Sequence, residues 1–101
     1  MDIKNLFSKV FNDEISDIHL CTGLPPMIRQ VHGLFPWGDV ILKSEDVMEI
    51  LNEIIPSNIK IGKKFEKEID LGIDFCGIRF RINIYEDRRG ICAALRLIPQ
   101  T

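Results

Sequence analysis

Apolar and polar residues alternate strictly along residues 77–85, and two of the polar residues are arginines. On a β-strand, residues two apart share a face. This stretch therefore predicts an amphipathic strand with its apolar side on the core. Its polar side carries Arg79, Arg81, Asn83 and Tyr85. Two neighbouring arginines on one strand need either acidic residues in the same sheet or an anionic ligand.

A tight turn at Cys76-Gly77 precedes this strand, since glycine supplies the positive φ that such turns require. Only one register of the resulting hairpin keeps every apolar side chain on the same side of the sheet. That register pairs Asp74 with Arg79, Gly72 with Arg81, and Asp70 with Asn83.

A third strand follows a predicted loop at residues 86–90, and it places Arg96 on the polar side. We expect Arg96 to lie opposite Arg79, an arrangement of like charges that is destabilising. One or two acids then offset three arginines, so this side predicts surplus positive charge and an anion site. The alternative is a set of ordinary solvated or ion-paired arginines, because exposed ion pairs contribute only about 0–1 kcal/mol.

The remaining pattern predicts helices and short strands before this meander. An apolar stripe indicates a helix from Ile3 to Phe11. Ser44 is the expected N-cap of a helix that runs to about Ile54, where Pro56 prevents continuation. A further helix is expected from Ser57 to about Phe65. Short strands are expected at residues 17–20, 27–31, 34–35 and 40–42.

This order predicts an α+β fold, an antiparallel sheet with helices packed on one face. With 101 residues, we expect a single domain covering residues 1–101. The net charge of −2 argues against a nucleic-acid partner. We expect no direct membrane insertion, because no apolar run approaches the ~20 residues that a span requires.

The candidate chemistry is otherwise sparse. Cys21, Cys76 and Cys92 are expected to be reduced thiols of a cytoplasmic protein, with no Cys-x-x-Cys pair. No metal site is predicted, because His19 and His32 lack a set of partners with zinc-like spacing. Gly62-Lys63 does not complete a phosphate-binding P-loop, so this chain alone should have no catalytic residues and should not hydrolyse ATP.

Several short motifs occur together in a recognisable order. They are Ser16-Asp17-Ile18-His19-Leu20, Gly23-x-Pro25-Pro26-x-x-Arg29, Gly33, Glu68-x-Asp70, Gly77-x-Arg79-Phe80-Arg81-Ile82-Asn83, Arg89-Gly90 and Leu95-Arg96-x-Ile98-Pro99. Their order and spacing resemble the N-terminal domain of the PilT-like retraction ATPases of type IV pili, motors of twitching motility within the type II/IV secretion ATPase superfamily. The resemblance covers nearly the whole chain. His32 and the residues at 84–88 depart from the retraction pattern.

The resemblance implies a PAS-like domain of a cytoplasmic homohexamer at the inner face of the cytoplasmic membrane. Its partners would be its own C-terminal P-loop ATPase domain, absent from this chain, the ATPase domain of the neighbouring subunit, and the inner-membrane pilus platform. The full protein would bind ATP and Mg²⁺, and neither is expected to be bound by this fragment alone. By position in the motifs, the residues implied to contact nucleotide phosphates are Arg79, Arg81, Arg89 and Arg96.

In such a motor, this domain would help to form the nucleotide cleft and the subunit interface, and would couple ATP hydrolysis to domain motion. Two alternatives remain open. The first is the N-terminal domain of a pilus-assembly or type II secretion ATPase. The second is a free-standing PAS-like sensory or interaction module.

Overall fold

The structure is a computed structural model of the 101-residue chain, and it describes residues 3–10, 14–56 and 68–98. These residues form two helices and six strands. The helices are α1 (Ile3–Ser8) and α2 (Ser44–Ile54). The strands are β1 (Asp17–Cys21), β2 (Met27–Gln30), β3 (Gly33–Pro36), β4 (Ile69–Phe75), β5 (Ile78–Asp87) and β6 (Gly90–Leu97). The helix predicted from Ser57 to about Phe65 lies outside the described residues.

The six strands form one sheet in the order β3-β2-β1-β6-β5-β4, and all neighbours are antiparallel. The centre of the sheet is the pairing of the first and last strands, β1 and β6. This pairing joins the hairpins of the N-terminal part to the meander of the C-terminal part. The predicted α+β class, an antiparallel sheet with helices on one face, is confirmed.

Both helices pack on the apolar side of the sheet. Phe7 of α1 contacts the rings of Phe75 and Phe80, with centroids 5.0 and 4.9 Å apart. Helix α2 buries the stripe that the sequence predicts, and its C-cap is Ile55, just before Pro56. The buried residues of that stripe are Val47, Ile50, Leu51 and Ile54. The opposite side of the sheet is left to the polar side chains.

The predicted register of the β4–β5 hairpin is confirmed in every pair. Cys76 and Gly77 form the turn with φ values of 53° and 75°. Two successive residues with positive φ are typical of the tight hairpin turns whose twist matches that of the flanking strands. The turn and the apolar alternation therefore specify the same register.

The predicted register between β5 and β6 is wrong. Arg96 lies opposite Arg81 rather than Arg79. The prediction treated residues 86–90 as a loop, whereas β5 continues to Asp87 and only two residues form the turn. The Asp87 carboxylate closes this turn by accepting hydrogen bonds from the backbone N–H groups of Arg89 and Gly90 at 2.8 and 3.2 Å. The shorter turn shifts the pairing by two positions.

Two details of the N-terminal elements also differ from the prediction. Helix α1 ends at Ser8, within the predicted range that extended to Phe11. Ser44 is the first helical residue of α2 and not its N-cap, which is Lys43. The Lys43 backbone N–H donates to the Asp46 carboxylate at 2.8 Å, so the first turn is closed by an acid rather than by the serine hydroxyl.

Residues 40–42 do not form the predicted strand. The backbone of Leu42 instead pairs with the turn after β1, accepting from Gly23 at 2.7 Å and donating to Leu24 at 2.9 Å. These bonds satisfy both backbone polar groups of Leu42, which therefore needs no strand partner. Val40 and Ile41 are left exposed.

Candidate functional site

The side of the sheet that faces away from the helices carries a row of arginines, which we call the arginine face. It consists of Arg29, Arg79, Arg81 and Arg96 on β2, β5 and β6. Arg81 and Arg96 are directly opposed, and Arg79 lies two positions further along β5. Like charges in direct opposition repel, so the acids around them determine what this face can bind.

Asp17 on β1 is the most buried of these acids, with 9% of its surface exposed. Its carboxylate accepts from the Arg96 Nε at 3.0 Å and from the Ser16 hydroxyl at 2.8 Å, and the Arg29 Nε lies 3.8 Å away. Burial alone would raise the pKa of Asp17, but the hydrogen bonds from Ser16 and Arg96 outweigh burial and hold the pKa below its usual value. Asp17 is therefore charged at neutral pH.

The two arginines that β5 places on the arginine face pair with acids of β4. Arg81 donates from Nε and Nη2 to both oxygens of Asp70, each at 3.1 Å. This two-point bond raises the pKa of Arg81. Arg79 donates to Asp74 at 2.9 Å.

Each of the three arginines that β5 and β6 place on the arginine face therefore has an acidic partner within the described residues. The surplus of positive charge that the sequence predicted rested on counting only Asp74 and Asp70. The third acid, Asp17, comes from β1, which pairs with β6. Arg29 shares Asp17 with Arg96, so four arginines face three aspartates on this side of the sheet, and any anion that binds there must compete with the carboxylates.

A cleft of about 210 Å³ opens between the ion pairs. Its polar lining comes from Asp17, His19, Asp70, Arg81, Asn83 and Arg96. The Arg81 and Arg96 side chains are 69% and 78% exposed, so both can turn toward a ligand. Drug-sized ligands occupy pockets of about 300–1,000 Å³, so this cleft has room for a phosphate group rather than for a whole nucleotide.

His19 is the histidine that lines this cleft. Burial lowers its pKa, and the charges of Arg29 and Arg96 lower it further, against the opposing effect of Asp17. The imidazole is therefore neutral at neutral pH. Within the described residues, no group of three or more histidine, cysteine or acidic side chains could hold a metal ion.

Arg89 lies apart from the other predicted site residues. It occupies the β5–β6 turn, where its guanidinium donates to the Asp87 carboxylate at 3.1 Å. Its side chain lies against Gly23, where a Cβ atom would come within 3.0 Å of Cδ. Arg81 is six residues from Asp87 along β5, which corresponds to roughly 20 Å. The structure thus groups Arg79, Arg81 and Arg96 and leaves Arg89 at the far end of the sheet.

The sequence prediction missed Asp17, His19 and Arg29 as members of this site. Alternation at residues 17–20 does place Asp17 and His19 on one side of a strand. The missing information was the neighbour of that strand, since β1 and β6 are separated by most of the chain. A long-range pairing of this kind leaves no local signal.

The comparisons with known proteins concern the sequence and the fold of the chain as a whole. No family model matches the chain. The chain is 35% identical over 102 residues to the type IV pilus retractation ATPase PilT of Pseudomonas aeruginosa, an alignment that covers 98% of this chain and 29% of PilT. The chain matches a PilT-like N-terminal domain. The resemblance seen in the motifs is confirmed at this level.

Two solved structures have the same fold. The crystal structure of the pilus retraction motor PilT with bound ADP superposes with a TM-score of 0.77 at 24% identity, and it covers all of this chain and 30% of that one. The ATPase DotB of Legionella pneumophila gives a TM-score of 0.80 at 23% identity, over 98% of this chain and 29% of DotB. The chain thus spans less than a third of each of these proteins. Among the described residues, no helix is long and apolar enough to cross a membrane.

Proposed function

We propose that this chain is the N-terminal domain of a hexameric pilus retraction ATPase. The observation that supports this function is the 35% identity to PilT across 98% of the chain. In this proposal ATP and Mg²⁺ are held mainly by a P-loop domain beyond these 101 residues. The N-terminal domain completes the nucleotide cleft, packs on the ATPase domain of the neighbouring subunit, and transmits motion to the pilus machinery on the cytoplasmic side of the membrane.

We assign Arg79, Arg81, Arg89 and Arg96 to the nucleotide phosphates, but Arg89, roughly 20 Å along the sheet, does not share a phosphate group with the other three. The strongest support lies at the opposed pair Arg81 and Arg96, which border a cleft of phosphate size. Arginine forks onto phosphate through two parallel hydrogen bonds and stays charged. Exposed ion pairs are worth only about 0–1 kcal/mol, so a phosphate with more than one negative charge can displace Asp70 from Arg81.

This competition suggests how hydrolysis is coupled to motion. While the terminal phosphate is in place, Arg81 and Arg96 bind it and release their carboxylates. When that phosphate leaves, the arginines return to Asp70 and Asp17, at the 3.0–3.1 Å distances seen in this structure. The arginine face therefore has two sets of ion pairs, and exchange between them shifts this domain against the ATPase domain.

A second candidate is the corresponding domain of a secretion ATPase. The fold of DotB superposes as well as that of PilT, with TM-scores of 0.80 and 0.77. The arginine face has the same role in both candidates. They differ in the machine that the full protein drives, so a retraction defect in a deletion strain would separate them.

The test uses the full-length protein encoded by the gene. We expect Arg81→Ala to lower ATP turnover, measured as phosphate release, at least about tenfold, because an electrostatic contact to the reacting phosphate is lost. The fold should persist, since Arg81 is largely exposed. Arg88→Ala is the matched control, an exposed arginine of the same meander that is outside the proposed set.

Two results would overturn the proposal at different levels. Unchanged turnover in a folded Arg81→Ala protein would refute the arginine assignment and leave the motor intact. A coding sequence without Gly-x-x-x-x-Gly-Lys-Ser/Thr within about 60 codons after Thr101 would refute the motor itself. The chain would then be a free-standing module.

A further inference from the structure

Two of the three cysteines face each other across the centre of the sheet. Cys21 on β1 is the direct partner of Cys92 on β6. Alternation along both strands puts their side chains on the arginine face, toward the end where β5 turns into β6. Both thiols are free, and their exposed fractions are 8% for Cys21 and 0% for Cys92.

The backbone hydrogen bonds show what kind of pair this is. The N–H of Thr22 donates to the carbonyl of Ile91 at 3.1 Å, which makes the next pair along the ladder a hydrogen-bonded one. Hydrogen-bonded and non-hydrogen-bonded pairs alternate in antiparallel sheets, so Cys21 and Cys92 form a non-hydrogen-bonded pair. The Cα atoms of such a pair are roughly 4.5 Å apart, which lies within the range of about 4.4–6.8 Å that disulfides span.

The surroundings of the two thiols differ. The Cys21 sulfur lies 3.8 Å from the Tyr85 hydroxyl, while the Cys92 thiol donates to the Gly90 carbonyl at 3.7 Å. Burial, together with the neighbouring Cys21, raises the pKa of Cys92 to about 12. Cys92 therefore stays protonated, and Cys21 is the thiol through which a reagent from solvent reaches the pair. Cys76 is exposed at the other end of β5 and cannot take part.

We propose that Cys21 and Cys92 are a redox-sensitive pair that a peroxide converts into a disulfide joining β1 to β6. The Cys21 thiolate attacks one peroxide oxygen, the O–O bond breaks, and hydroxide leaves to give a sulfenic acid. The Cys92 sulfur then attacks the Cys21 sulfur, the S–O bond breaks, and the departing hydroxide takes the Cys92 proton as water. In total the two thiols lose two protons and two electrons, and hydrogen peroxide becomes two molecules of water. A dithiol reductant reverses the reaction.

The disulfide would change the domain in two ways. It links the first strand of the sheet to the last, and closing so long a loop restricts the unfolded chain. It also draws the Cys92 sulfur away from the Gly90 carbonyl, beside the turn that carries Arg89. Disulfides in reducing compartments are usually transient and regulatory. The proposal does not depend on the proposed motor function.

Peptide mapping of the full-length protein tests the proposal. The protein is treated with hydrogen peroxide, alkylated, unfolded and digested with trypsin. The three cysteines fall in separate tryptic peptides, residues 10–29, 68–79 and 90–96. We expect a species in which peptides 10–29 and 90–96 are joined, and its loss after dithiothreitol. We also expect oxidation to raise the Tm of this domain by at least about 5 °C.

Variants supply the controls. Cys76→Ser should keep both the linked peptides and the rise in Tm, because its thiol is remote from the pair. Cys92→Ser should abolish both. Oxidation of the exposed Cys76 shows that the peroxide has acted. If Cys21 and Cys92 are then recovered in separate peptides, whether alkylated or as unlinked sulfur oxides, the proposal is overturned. If Cys92→Ser does not fold, the peptide map of the wild-type and Cys76→Ser proteins decides the question alone.

Discussion

The carboxylate of Asp17 connects β2, β1 and β6, and its removal should measurably destabilise the domain. Asp17→Asn keeps the shape of the side chain but removes the charge that accepts from Arg96 at 3.0 Å. Hydrogen bonds to charged groups contribute about 1.5–3 kcal/mol. Removing one partner also costs the desolvation free energy of the other if that group is buried and left without a hydrogen bond. Here Arg96 is 78% exposed and water replaces the carboxylate. We therefore expect the free energy of unfolding to fall by about 1–2 kcal/mol.

Urea denaturation, followed by circular dichroism, measures this change. With an m-value of about 1–2 kcal/mol per molar, the midpoint should shift by roughly 1 M. Asp74→Asn is the matched control, because Asp74 also pairs with an arginine, Arg79 at 2.9 Å, but is 71% exposed. We expect this control to change the free energy of unfolding by less than about 0.5 kcal/mol. Equal effects of the two substitutions would contradict the argument from burial.

The effect of Asp17→Asn should also depend on pH. The pKa of Asp17 is lower in the folded chain than in the unfolded chain, where it is about 4. Its charge therefore stabilises the fold above that unfolded pKa, and the contribution is lost as pH falls through the folded pKa. The difference between wild type and Asp17→Asn should be full at pH 6–7 and shrink below about pH 4. A difference that stays constant to about pH 2.5 would refute the assigned charge.

Two further substitutions test the packing of the fold. Gly90→Ala should destabilise the domain by about 1–3 kcal/mol, because Gly90 has a φ of 136° and a Cβ would come within 2.7 Å of the Ser44 hydroxyl. Thermal unfolding measures this loss of stability, and an unchanged Tm would contradict the prediction. Leu51→Ala should cost about 2–5 kcal/mol, because Leu51 is fully buried in α2 beneath the sheet. A loss below about 1 kcal/mol in urea denaturation would show that α2 is not packed as described.

The sequence was informative wherever a structure is decided by neighbouring residues. The β4–β5 hairpin was predicted in full, because the apolar alternation and the Cys76-Gly77 turn both specify one register. The buried stripe of α2 was predicted for the same reason, since helical spacing alone identifies it. The resemblance to PilT-like domains also came from short local motifs. Each of these predictions used a local pattern: one hairpin, one helix face, or motifs of a few residues taken in their order along the chain.

Predictions from the local sequence pattern were wrong where the length of a turn, or a group distant along the chain, decided the structure. Arg96 was placed opposite Arg79 because the closing role of the Asp87 carboxylate in the β5–β6 turn was not foreseen. The N-cap preference of serine predicts Ser44 as the cap, whereas the carboxylate of Asp46 closes the turn instead. Both errors concern side chains that bond to the backbone, for which several residues compete at similar energies.

The sequence by itself determined the two faces of the sheet, because the spacing of apolar residues decides which side chains leave water. Only the tertiary structure decided the charge of the arginine face and the pairing of the thiols. Asp17 neutralises Arg96, and Cys21 meets Cys92, because β1 and β6 are neighbours at the centre of the sheet. That neighbour relation depends on the packing of the whole chain, since the entropy cost of bringing together strands so far apart in sequence is offset only by the contacts of the complete core.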